Sequence, residues 1–165
     1  MRRLFSFPDP VNDHAARTVA AGVIVMALAA VATRQMWLCI PLAYGFVARV
    51  LTGPKLSPLG QLATRVFAPR LGAPRLLPGP PKRFAQALGA AFTCSALGLW
   101  LSGHTFAALV LLGILCLPAA LEAGLGFCVG CQLFALGMRL GVVPRSVCEQ
   151  CDDIWGRSRV ASNQA

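Results

Sequence analysis

The sequence predicts an all-α integral membrane bundle of four transmembrane helices in two hairpins, with a short amphipathic interfacial helix and a C-terminal cytoplasmic segment. Three observations lead there. Hydrophobic residues make up 56% of the 165 and charged residues only 13%, against about 25% charged in a soluble domain. Long apolar runs alternate with short polar breaks, the pattern of repeated bilayer crossings. The basic residues fall in those breaks and not along one helix face. The whole chain, 1–165, reads as a single membrane domain.

The first element follows a short polar arm. Arg2 and Arg3 resemble the start of a secretory signal, but Phe7-Pro8-Asp9-Pro10 interrupts before any apolar run, and no cleavage site follows the run itself. The first apolar segment is therefore expected to be retained as a span over 14–33. Asn12 is suited to cap it, and Asp13 in the first turn suits the helix dipole. Arg34-Gln35 makes a tight turn into a second span over 36–51.

Residues 52–83 change character. They hold Lys55, Arg65, Arg70, Arg75, Lys82 and Arg83, no acid, and seven of the twelve prolines. This reads as a basic, proline-rich cytoplasmic loop. Inside it, Ser57-Pro58 is a helix start, and Leu59, Leu62, Ala63, Val66 and Phe67 recur at helical spacing. A short amphipathic helix lying on the membrane surface is the expectation. A third span is expected over 84–101 and a fourth over 105–127, the latter kinked at Pro118. Residues 128–165 form a cysteine-bearing segment that first follows the interface.

The net charge of +9 sits on the N-terminal arm, the 52–83 loop and the tail. The turn at 34–35 carries one Arg and the turn at 102–105 carries no Lys or Arg. Positive-inside logic then places both termini and the long loop of a multi-pass membrane protein in the cytoplasm. The same distribution argues for the lipid bilayer as partner and against nucleic acid, which calls for a basic helix face with interleaved aromatics.

Seven cysteines are the chemical signal. Cys128-Val129-Gly130-Cys131 and Cys148-Glu149-Gln150-Cys151 together give two C-x-x-C pairs, a sign that the thiols act together. One reading is thiol–disulfide exchange, with Cys128 as nucleophile at a fresh helix start and Cys131 as its resolving partner. Helix N-terminal amides would favour the Cys128 thiolate. Cys148 and Cys151 would be a second, mobile pair. Another reading is a non-enzymatic four-cysteine zinc site built from Cys128, Cys131, Cys148 and Cys151. The bland alternative makes the thiols small apolar packing groups, as Cys39, Cys94 and Cys116, each alone in an apolar run, are expected to be.

Glu122, an acid inside an apolar span, is the remaining outlier. It is read either as a proton relay to the thiols or as a structural ion pair with Arg17 or Arg49. Together with the cysteines it also fits a carrier of a small sulfur species. His14 and His104 read as solvated interfacial residues.

Pro10-Val11-Asn12, Ala48-Arg49-Val50-Leu51-Thr52-Gly53-Pro54, Leu56-Ser57-Pro58-Leu59-Gly60, Pro80-Pro81-Lys82-Arg83-Phe84-Ala85-Gln86 and above all Gly126-Phe127-Cys128-Val129-Gly130-Cys131 carry a resemblance. Over about Pro8 to Ile154 the chain resembles a bacterial four-helix membrane family known only as domain of unknown function 4395, with a GFCxGC motif. Family members occur beside thioredoxin-like or sulfur-transfer proteins, so the resemblance implies thiol chemistry and a partner of that kind. It carries no catalytic residues across. Some relatives end soon after the first cysteine pair, which makes Cys148 and Cys151 accessory.

Overall fold

The first helix, α1 (Asp13–Thr33), begins where Asn12 turns its side chain onto the chain ahead. Its Oδ1 accepts from the His14 N–H at 3.0 Å, which satisfies one of the amides a helix start leaves open. The computed structural model describes residues 7–144, 147 and 148. α1 closes at Arg34, a non-glycine residue in the left-handed region at φ 54°. A 3-10 turn over Met36–Leu38 then leads into α2 (Cys39–Thr52).

The helical backbone does not stop at Thr52. It continues through a 3-10 turn at Gly53–Lys55, α3 (Pro58–Leu62), a π turn over Ala63–Phe67 and a 3-10 turn over Ala68–Arg70. Pro54 and Pro58 stand at the first positions of new turns, where a missing N–H costs nothing. Ser57 caps α3 by accepting from the Gly60 N–H at 3.2 Å. Leu59 and Ala63 turn onto α1, with Leu59 covering Gly22, while Leu62 and Phe67 are exposed. The segment expected to be mainly loop is thus largely helical, and much of its apolar face meets protein.

α4 (Gly79–Leu101) starts upstream of the expected Phe84, because Pro80 and Pro81 occupy its first turn without needing hydrogen bonds. Asp9 Oδ1 accepts from the Gly79 N–H at 3.0 Å. α5 (Thr105–Leu125) runs through Pro118 as one helix and ends just short of the expected Phe127. α6 (Val129–Arg139) follows. Val11–Asn12 (β1) and Leu76–Leu77 (β2) pair antiparallel, tying the N-terminal arm to the segment before α4.

Four helical stretches are long and apolar enough to cross a membrane: Asp13–Thr33, Met36–Arg70, Gly79–Leu101 and Thr105–Leu125. α1 packs chiefly on α5, α2 on α4, and α4 also on α5. α1 and α2 follow each other in sequence yet touch little, so of the two expected hairpins only α4–α5 is closely packed. Small residues allow the close approaches. Ala27, Ala30, Ala96 and Ala108 are wholly buried, and Gly89 of α4 receives the Phe46 ring of α2 so closely that any Cβ there would collide with it.

The up-and-down run of helices sorts the polar residues to two ends. The starts of α1 and α4 meet the ends of α2 and α5 at one, where Asp13, Arg17, Arg49, Lys82, Arg83 and Glu122 lie. Arg34, Gln35, Trp37, Ser102 and His104 lie at the other. Trp37 is exposed and its Nε1 donates to Gln35 Oε1 at 3.0 Å.

Candidate thiol site at the basic end of the bundle

The site is built where α5 stops. Gly126 takes the left-handed conformation at φ 69°, and the amides of Gly126 and Phe127 donate to the carbonyls of Glu122 and Leu121. Arg17 reaches across from α1 to cover the next two, with Nε donating to Ala123 O at 3.2 Å and Nη2 to Gly124 O at 2.7 Å. Four successive carbonyls at the end of α5 are thereby satisfied. The chain reverses and Cys128 becomes the cap residue of α6, in extended conformation.

The turn brings Cys128 and Cys131 together on the first turn of α6. Both are free thiols; Cys128 is buried and Cys131 half-buried. The side-chain hydrogen bond from Cys131 holds the Cys128 thiol below its usual range, against opposing effects of burial and Glu122, with Lys82 adding to the lowering. The same hydrogen bond, with burial and the neighbouring Cys128 charge, pushes the Cys131 thiol up. One thiol is therefore favoured as thiolate and the other as the proton donor that steadies it.

Gly130 sets the placement. A Cβ on it would lie 2.6 Å from the Ala85 Cα and 2.5 Å from its Cβ, so α6 rests directly on the α4 backbone. This contact brings the cysteine pair within electrostatic reach of Lys82, on the same face of α4 one turn earlier.

Lys82 is the member that sequence reasoning missed. It is 3% exposed and its Nζ lies 2.6 Å from Glu122 Oε1 and 3.8 Å from Asp13 Oδ1. The expected ion partners of Glu122, Arg17 and Arg49, are otherwise engaged. Arg17 caps α5, and Arg49 donates to Gln86 Oε1 at 2.7 Å and Ser57 Oγ at 3.0 Å. Read as one more loop charge, Lys82 gave a signal that was present but unused: it follows helix-starting prolines, which put it in the first turn of α4. Glu122 also sits on a different helix from Cys128, and the turn at Gly126 rather than a continuous axis brings them near.

A cleft of about 330 Å³ runs beside this cluster between α1, α4, α5 and α6. Its lining is apolar apart from Gln86, Glu122 and Cys128. Cys148 lies elsewhere. It is buried against Phe134 and Met138 on the later turns of α6 and is disulfide-bonded. Cys151 lies outside the described residues. Among the described residues no group of three or more metal-ligating side chains converges. Cys39 is buried, Cys116 half-buried and Cys94 exposed, each apart from the pair. His104 precedes α5, its Nδ1 3.3 Å from Ser102 Oγ, and is exposed. His14 lies in the first turn of α1.

Four spanning helices with paired thiols and a buried ion cluster at one end define a multi-pass α-helical membrane protein. The chain belongs to the family described as Domain of unknown function (DUF4395), whose model matches residues 11–139. That match includes Glu122, Cys128 and Cys131 and ends before Cys148 and Cys151. No curated protein and no solved structure matches the chain.

Proposed function

We propose that the chain is a membrane-embedded thiol–disulfide exchange component that works through Cys128 and Cys131 at the cytoplasmic side of the bacterial inner membrane. The observation that carries this is the hydrogen-bonded pair of free thiols at the start of α6, beside the Lys82–Glu122 ion pair. The Cys128 thiolate attacks one sulfur of a partner's disulfide, giving a mixed disulfide and a partner thiolate, which takes up a proton. Cys131 loses its proton, attacks Cys128 Sγ, and releases the partner's second thiol. The partner gains two electrons and two protons, and the chain is left with a 128–131 disulfide. A soluble dithiol protein of thioredoxin-like or sulfur-transfer type would reset it by the reverse exchange. Lys82 would stabilise the thiolate, and Glu122 would hold Lys82 in place and exchange protons with the pair.

Cys148 favours this reading over a shared four-cysteine zinc site. A sulfur in a disulfide is not a thiolate ligand. Its neighbour Met138 is also seven residues beyond Cys131, roughly 10 Å along α6 at the helical rise. Thiol titration of purified protein with and without reductant, beside its metal content, tests the proposal. A 128–131 pair that cycles between dithiol and disulfide without metal is the expected result. One zinc per chain, with thiols released only on denaturation, would sink it.

A further inference from the structure

A second cavity, of about 250 Å³, opens at the same end of the bundle between the N-terminal arm, α1, α3 and the start of α4. Arg49 and Lys82 are the charged residues in its lining. Asn12, Thr64 and Gln86 add polar groups, and no carboxylate lines it among the described residues. Lys82 already directs its ammonium to Glu122. Arg49 is different. It is only 5% exposed, its Nε and Nη1 are taken by Gln86 and Ser57, and its guanidinium lies 4.5 Å from the centre of the Phe46 ring. Its Nη2 is buried with no hydrogen-bond partner.

A buried guanidinium N–H without an acceptor is rare, and a cationic one calls for a charged acceptor more than a neutral one. The fork geometry of the guanidinium suits the oxygens of a phosphate. The rest of the lining, from Phe7, Pro8, Pro10, Val11 and Leu76, is apolar. That combination suits a group with an anionic head and an apolar body better than a bare ion.

We infer that this cavity binds a phosphate group on Arg49 Nη2, supplied by the headgroup of an anionic phospholipid whose glycerol and first methylenes lie along the apolar wall. The site is independent of the thiol proposal, since the cysteines do not line it. It goes beyond the general attraction of basic loops for anionic lipid, because the acceptor is seated on one buried residue.

The test compares two sources of the same chemistry on the full chain. In one arm, protein in mixed phosphatidylglycerol–phosphatidylcholine micelles is examined by native mass spectrometry. In the other, detergent-solubilised protein is titrated calorimetrically with inorganic phosphate. Retention of phosphatidylglycerol over phosphatidylcholine by about tenfold, lost in Arg49→Gln, is the expected result. Arg49-dependent binding of inorganic phosphate instead would keep the site and assign it to a free oxyanion. Because Arg49 also holds Gln86 and Ser57, a second variant leaves it in place: Thr64→Phe fills the cavity from its exposed mouth and should abolish binding equally. Wild-type protein that takes up neither probe, or binding unchanged in folded Thr64→Phe, overturns the proposal.

Discussion

At Cys128 the hydrogen bond from Cys131 meets burial and the opposed charges of Glu122 and Lys82, and the balance lowers the thiol's pKa. The folded value lies below the unfolded one, so the thiolate is populated at lower pH in the folded chain. Ionisation then adds stability as pH rises from the folded value to the unfolded one. The rate of alkylation at Cys128 by iodoacetamide should therefore inflect below the ordinary thiol range, about 8.5. Cys131→Ala, which removes the stabilising hydrogen bond, should move the inflection upward; an inflection at or above the ordinary value in the wild type would contradict the assignment. Lys82 invites a sharper comparison. Lys82→Met leaves Glu122 with an uncompensated charge and should cost about 3 kcal/mol in thermal unfolding of the solubilised protein. The double variant Lys82→Met with Glu122→Leu should recover much of that stability. Failure of the double variant to recover would mean the ion pair is not the stabilising unit.

Elements place these residues, and two glycines decide how. Gly126 reverses the chain after α5, and Gly130 lets α6 lie on Ala85. Gly130→Ala should separate α6 from α4 and slow disulfide exchange by an order of magnitude or more, whereas Gly98→Ala, which meets open space, should change nothing. Equal rates in the two variants would remove Gly130 from the account. At the other end, Arg34 holds a left-handed backbone at φ 54° that costs a side-chain-bearing residue on the order of 1 kcal/mol. Arg34→Gly should raise the unfolding temperature. Much at this scale was legible. Asn12 and Ser57 announce helix starts through cap chemistry, and the apolar runs announce spans. The helical path through 53–70 was obscured by Pro54, Pro58 and Pro69, which usually break helices but here each stand near the start of a new turn. The partnership of Lys82 with Glu122 depends on how α4 meets α5, and no local pattern carries that.

Across the whole molecule, polar residues divide between two ends of the bundle, and the basic excess lies at the end that carries the thiols. A tag inserted after Gly103 should be reached by protease in intact spheroplasts, and tags at either terminus only after permeabilisation. Protection of the Gly103 tag, with exposure of both termini, would reverse the orientation proposed for the thiol site. One consequence concerns biosynthesis. Lys82 lies in the first turn of α4, while its main counter-ion, Glu122, is translated forty residues later near the end of α5. Until α5 inserts, Asp13, 3.8 Å away in the finished fold, is the counter-charge that the described residues offer the lysine. The groups that tune Cys128 thus come together only once the last span is in place. A nascent chain halted before the end of α5 carries neither Cys128 nor Cys131, so incomplete copies of this protein should be inert toward the cell's disulfides.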